Sequence, residues 1–378
     1  MNHKTTLLVG EPMGLFIAEE TGRLEDVDHF SFTTCGAELN VAIGMKRLGH
    51  EVSYMTKLGR DPFGKRITNR MEEIGISTGH ILFSDERPTG FMFKSMVAEG
   101  DPSIFYFRRG SAASTLSAED VAALDLSGCA LVHMTGITPA LSDSAREAVL
   151  ALAARTRGSG VKLSFDPNLR LQLWPDTEKM AECLNGIAEQ ADIFLPGVKE
   201  AKILMGEDDP EKIAAWYIAR GTKTVVVKLG AKGAYYASAG GESGYVPGFH
   251  VDRIVDTVGA GDGFAAGVLT ALLEDMPLAE AVRRGCAIGA IQLLSKGDND
   301  GLNCKSRKRT VSSGHFSIQL MHHIIFHPDR TCQQKYCQYY NKENSSFYLT
   351  HSYHLRNRRR SDLESDIHPH TLRRLKYL

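Results

Sequence analysis

No apolar run in the 378 residues reaches the ~18 to 20 that a membrane-spanning helix needs. Met1 to Lys4 lead straight into a strand-like stretch rather than into a secretory leader. A membrane partner is therefore not expected, and the expected location is cytoplasmic. Cysteine is sparse and unpatterned. Cys35, Cys129, Cys183 and Cys286 lie far apart with no Cys-x-x-Cys pair, which argues against zinc and for buried, reduced thiols. Net charge is nearly absent as well, at −1, but the balance is uneven. From Leu302 onward there are 14 Lys and Arg against 5 Asp and Glu, which leaves 30 against 40 before it. The chain is an acidic body with a basic appendage.

What is present fits a folded α/β protein. A composition that is 43% hydrophobic and 24% charged suits a soluble globular chain. The length allows one large α/β domain with an insertion, or two domains.

The most informative stretch runs Ile254-Val-Asp-Thr-Val-Gly-Ala-Gly-Asp-Gly-Phe-Ala-Ala-Gly267. A β-branched run from Ile254 to Val258 predicts a strand, the glycines a turn, and the apolar period from Phe264 to Leu273 a helix. Such a turn leaves the amides of Gly259, Ala260 and Gly261 unpaired at a helix N-terminus, where the dipole adds roughly half a positive charge. That is an anion site. Asp262 in the same turn suits a base that takes a proton from a hydroxyl attacking a phosphoryl group. A plain helix N-cap is the alternative. A dinucleotide fingerprint is excluded, because Phe264 stands where its third glycine belongs.

Taken in order, Thr5 to Val9 predicts a strand closed by Gly10-Glu11-Pro12, and Phe30 to Thr34 leads to Gly36-Ala37-Glu38-Leu39-Asn40 and a helical stretch. Gly36 can admit a close ligand and Asn40 offers a donor and an acceptor, although a helix start explains both. Gly59-Arg-Asp-Pro-Phe-Gly64-Lys65-Arg66 nearly spells a P-loop but lacks the metal-binding hydroxyl at Arg66, and Pro62 removes an amide. It is read as a decoy. Two strands within residues 89–108, joined by Glu99-Gly-Asp-Pro102, form a hairpin of the kind that serves as a lid. On it Tyr106 and Arg108 share a face, and the guanidinium fork can hold a carboxylate. A solvated edge strand is the alternative. From Ala130 to Ala237 strands and helices alternate, which predicts a mostly parallel sheet covered on both faces. Its strand ends gather Glu11, Asn168, Arg170, Glu200, Lys228 and Asp262, where ligands of such sheets bind.

With Gly36-Ala-Glu-Leu-Asn40, Gly59 to Gly64 and Asp256-Thr-Val-Gly-Ala-Gly-Asp262 in view, the body from about residue 5 to 301 resembles the ribokinase-like (PfkB) sugar kinases. The resemblance implies a three-layer α/β sandwich with a mostly parallel central sheet. It also implies a small β-sheet lid drawn from about residues 12–35 and 88–112. Asp262 would be the general base and the Gly259 to Gly261 amides the anion hole. Gly10-Glu11-Pro12, Phe105-Tyr-Phe-Arg108-Arg-Gly-Ser-Ala112, Asp166-Pro-Asn168-Leu-Arg170 and Lys296-Gly-Asp298 bring the chain nearest to kinases of 2-keto-3-deoxygluconate, which use Mg-ATP. By that likeness the sugar acid meets Gly36, Ala37, Asn40, Tyr106, Arg108, Arg170 and Asp298. The nucleotide meets Asn168, Glu200, Lys228, Gly230 and Gly233, with Mg²⁺ held by Glu200 through water. Asp256 and Thr257 would hold a monovalent cation such as K⁺, and the lid would pair two copies. Two arginines facing the sugar favour an acid over fructose. Pro196 and Gly197 depart from the family, which often places Asn four residues before Glu200.

Residues 302–378 do not continue the pattern. They contain no alanine, one glycine (Gly314) and eight of the fourteen histidines, with basic bursts at Lys305 to Arg309 and Arg356 to Arg360. Zinc binding by Cys332, Cys337 and nearby histidines lacks suitable spacing. Nucleic-acid binding is not expected either; solvated disorder, or a stretch translated out of frame, is. Reading the encoding DNA in its other frames after Gly301 should reveal a family-like closing helix; finding none in either frame refutes a frame shift.

Overall fold

The computed structural model describes residues 4–97, 102–252 and 254–294. Asp298 and the basic tail lie outside them. The strands are β1 (Thr5–Val9), β2 (Met13–Thr21), β3 (Phe30–Cys35), β4 (Val52–Gly59), β5 (Ser77–Ser84), β6 (Phe91–Met96), β7 (Ile104–Phe107), β8 (Cys129–Thr135), β9 (Lys162–Asp166), β10 (Ile193–Phe194), β11 (Thr224–Lys228), β12 (Ala234–Ser238) and β13 (Ser243–Val246). The helices are α1 (Ala37–Arg47), α2 (Pro62–Ile74), α3 (Ala118–Ala122), α4 (Asp143–Thr156), α5 (Thr177–Ala188), α6 (Val198–Met205), α7 (Pro210–Ile218), α8 (Ala260–Leu273) and α9 (Leu278–Gln292).

Nine strands form one sheet in the order β13-β12-β11-β10-β9-β8-β1-β4-β5. It is parallel from β11 to β5, and β12 and β13 add antiparallel at one edge. Strand alternation splits the core in two. Leu7, Val9, Val132, Leu163, Phe165 and Val225 pack on one face against α4, α5 and α7. Leu8, Leu131, Ile193 and Val226 pack on the other against α1, α2, α8 and α9. This is the three-layer α/β arrangement expected. Strand order reverses at β1, whose neighbours are β8 and β4. A crevice opens at such a point beyond the carboxyl ends of the strands.

The second sheet has the order β3-β2-β6-β7 and is built from the two segments expected to form a lid. Met13, Leu15, Cys35 and Met92 are buried on one face, with Ile104 and Tyr106 packed against them. The opposite face is phenylalanine. Phe16 stacks on Phe93 at 4.9 Å and Phe91 on Phe107 at 4.8 Å, while Phe63 of α2 contacts Phe16, Phe32 and Phe91.

One local expectation changes. Residues 254–258 form a connection rather than a strand: Val255 and Asp256 donate backbone hydrogen bonds to the Leu293 carbonyl at the end of α9. β-branched residues favour strands only where a neighbouring strand can pair with them. The near P-loop, read as a decoy, is the start of α2. Asp61 accepts from the Gly64 amide at 2.8 Å and the Thr89 amide at 2.7 Å, with Pro62 in the first turn of α2. Cys35, Cys129, Cys183 and Cys286 are free thiols.

Candidate active site

A cavity of about 400 Å³ opens between the strand ends of the large sheet and the buried face of the small one. Helix α8 ends one side of it. Gly259, in the left-handed region at φ 79°, is its N-cap and no side chain caps it. The first intrahelical backbone bond runs from Gly263 N–H to the Gly259 carbonyl at 2.8 Å, so the helix amides before it have no intrahelical acceptor. A left-handed residue favours glycine here, and the helix dipole adds to the positive potential. Asp262, one turn in, lines the cavity and accepts from Asn40 Nδ2 at 2.8 Å. That bond orients the carboxylate from α1, whose own N-cap is Gly36 at φ 141°. A Cβ on Gly36 would meet the Glu11 carbonyl at 2.9 Å.

The small sheet supplies Met13, Met92, Ile104, Tyr106 and Arg108 to the lining. Tyr106 and Arg108 do share a face, with the guanidinium 5.5 Å from the ring centroid. Arg108 is not, however, an uncommitted fork. Its Nε donates to Glu11 Oε2 at 2.7 Å, a second nitrogen contacts the same oxygen, and Ser111 donates to Oε1. Both partners are buried, and removing one would strand the other charge at about 3–5 kcal/mol. The positive charge the sequence offered to a substrate carboxylate is thus compensated within the protein. Arg170 differs. Among the described residues it donates to neutral oxygens, those of Asn168 and Leu169, with Asn168 Oδ1 at 2.7 Å. Asn168 takes φ 35°, a conformation asparagine tolerates, and its amide donates to Asp166 Oδ1.

Lys228 ends β11 with its Nζ 2.6 Å from Asp166 Oδ2 and 3.8 Å from Glu200 Oε2. Burial alone would lower its pKa, but Asp166, Glu200 and Asp262 outweigh that and hold the ammonium above its ordinary value. A Cβ on Gly261 would lie 4.0 Å from this Nζ, so the ammonium stands beside the open turn. Glu200 accepts from the Gly197 amide at 2.7 Å and the Leu169 amide at 3.0 Å.

The cavity therefore brings together Gly36, Ala37, Asn40, Tyr106, Arg108, Asn168, Arg170, Lys228, Thr257, Gly259, Gly261 and Asp262. Ala260, Glu200, Asp256, Gly230 and Gly233 are not among its lining residues. Gly230 and Gly233, at φ 61° and 99°, shape the turn after β11 instead, which closes through Leu229 N–H and the Gly233 carbonyl. Asp256 donates nothing to the cavity and is engaged elsewhere: Lys94 Nζ lies 2.7 Å from its Oδ2. Of the two residues expected to hold a monovalent cation, Asp256 thus already faces an ammonium.

Sequence reasoning passed over three groups. Asp166 was visible at the end of its strand. Lys94 sits two positions from Met92, so β6 alternation places both on the cavity side. Glu38 is buried below the site with its carboxyl pushed up by burial, partly offset by the Thr135 hydroxyl that donates to it at 2.5 Å.

Comparison with known proteins decides the family. A model of pfkB family carbohydrate kinases matches residues 4–304. The chain belongs to that family. It is 44% identical to a 2-dehydro-3-deoxygluconokinase of Bacillus subtilis, over 82% of this chain and 95% of that protein. A crystal structure of a PfkB protein from Polaromonas superposes with a TM-score of 0.73 at 41% identity, covering 80% of this chain and 99% of the other. A putative ribokinase from E. coli in complex with ATP and Mg²⁺ matches with a TM-score of 0.70 at 26% identity, covering 79% and 96%. The fold of this kinase is thus ribokinase-like. Among its described residues no helix is long and apolar enough to cross a membrane.

Proposed function

We propose that this kinase transfers the γ-phosphoryl group of ATP to the terminal hydroxyl of a keto sugar acid, with 2-keto-3-deoxygluconate as substrate and its 6-phosphate as product. The observation that carries the reading is the pairing of Asp262 with the uncapped start of α8 inside one cavity that also holds Arg170. The hydroxyl oxygen forms the new bond to phosphorus as its proton passes to the Asp262 carboxylate. The bond from phosphorus to the bridging oxygen breaks, and its electrons leave with ADP. The amides of Gly259, Ala260 and Gly261 meet charge on the migrating group, and Lys228 stands beside them. Asn40 holds the base in place.

Arg170 takes the substrate carboxylate, while Gly36, Ala37, Tyr106, the Glu11-paired Arg108 and Asp298 shape the sugar pocket. Asn168, Glu200 and the Lys228 to Gly233 turn form the nucleotide side. Among the described residues no cluster of three His, Cys, Asp or Glu could hold a metal. That suits Mg²⁺, which binds through one or two carboxylates, water and phosphate oxygens. Both Glu200 oxygens already accept an amide, so Glu200 would act on the ion through water. When bound, Mg²⁺ neutralises charge on the phosphates.

The compensated Arg108 keeps a neutral ketose, fructose, as the second reading. A coupled assay for ADP with keto acid, fructose and ribose separates the two. Keto acid should be preferred, and Arg170→Ala should raise KM for it more than for fructose; a preference for fructose would refute the acid reading. Asp262→Ala should lower kcat ~10² to 10⁴-fold with KM little changed, and an unaltered kcat removes Asp262 as the base.

The phenylalanine face of the small sheet, where Phe105 is 59% and Phe107 48% exposed, supports pairing of two copies through the lid. Sedimentation should give a dimer that Phe107→Glu dissociates. A monomeric wild type would contradict this.

A further inference from the structure

The loop that leads into the anion hole is tied down at both ends. At one, Val255 and Asp256 donate to the Leu293 carbonyl at 2.8 and 3.4 Å. At the other, Asp256 Oδ1 accepts from the Val258 amide at 3.0 Å, which fixes the backbone one residue before Gly259. Its other oxygen, Oδ2, accepts from Lys94 Nζ at 2.7 Å. The side chains are 6% and 12% exposed, so this is a desolvated pair rather than a surface contact. Lys94 belongs to β6 of the small sheet and Asp256 to the loop that precedes α8, 162 residues on.

A carboxylate buried beside an anion hole needs a compensating cation. An ammonium is a compact single charge, close in size to a dehydrated potassium ion, and it carries three donors on a flexible stem. Once it is seated, a second monovalent cation at the same oxygen would meet a like charge at van der Waals distance without water between them. Asp256, seated on Lys94, therefore does not fit K⁺ as a further partner.

We propose that Lys94 is a built-in cation: its ammonium does for the Asp256–Gly259 loop what a bound monovalent ion would do, so that the kinase works without K⁺. The proposal rests on the kinase reading above and names a positioning residue for its anion hole. It also makes the set of that loop depend on how the small sheet is seated, because the charge arrives on β6.

The test uses the full-length protein in KCl and in tetramethylammonium chloride of equal ionic strength, with two readouts, the coupled ADP assay and thermal unfolding. Wild type should show the same kcat and the same Tm in both salts. Lys94→Met should lose about 10²-fold in kcat without K⁺, as a misplaced anion hole would. KCl should restore much of that loss and raise the variant's Tm, and wild type should gain neither. Rescue by K⁺ is a result that mere loss of packing would not produce. Activation of wild type by K⁺, or a K⁺-specific rise in its Tm, would overturn the proposal, as would a Lys94→Met protein that K⁺ restores no better than tetramethylammonium. The wild-type comparison decides even if the variant does not fold. Absence of phosphoryl transfer from wild type to any sugar would instead sink the kinase reading, and the Tm comparison would still decide on Lys94.

Discussion

Helix α8 starts on a left-handed glycine with no side chain to cap it, and its first-turn amides must find their acceptors outside the helix. In a surface helix water would serve. Here the turn opens into a cavity whose other walls are strand ends, the buried face of the small sheet and paired charges. Those donors and the dipole together favour an anion, and a carboxylate three positions into the same helix would repel one unless it is held aside. Asn40 does this, donating to Asp262 Oδ2 from a helix 222 residues away in sequence.

The rest of the body secures the relation between α1 and α8. The two helices lie on the same face of the sheet, in one core with α2 and α9. Helix α9 approaches α8 at backbone distance, since a Cβ on Gly267 would meet Gly285 Cα at 2.8 Å. Arg284 locks their ends by donating from both Nη atoms to Glu274 at 2.8 Å. Charges within the cavity are likewise settled in pairs, Glu11 with Arg108 and Asp166 with Lys228. Buried pairs of this kind add little net stability, but they fix geometry because separating them is costly.

Much of this was legible in the sequence where local chemistry is sufficient. Strands β1 and β11 are short apolar runs buried on both faces, and α8 announces itself by glycines followed by an apolar period. Tyr106 and Arg108 follow from alternation in the hairpin. Other parts were not legible, for physical reasons. Strand β5 is an edge strand in which only Ile81 is buried, and α9 meets α8 at backbone distance through Gly285 and Gly289. The strand expected at Ile254 finds no pairing strand among the described residues. Ion pairs leave no spacing at all: Glu11 and Arg108 are 97 residues apart, and Lys94 and Asp256 are 162. Both pairings change what the motif residues are available to do.

The most direct measurement of the central claim is a crystal structure of the protein with MgADP, aluminium fluoride and 2-keto-3-deoxygluconate. The account predicts the fluoroaluminate seated against the amides of Gly259, Ala260 and Gly261, with the acceptor hydroxyl within hydrogen-bond distance of an Asp262 carboxylate oxygen. A fluoroaluminate bound away from that turn, or a hydroxyl directed to another base, would contradict it.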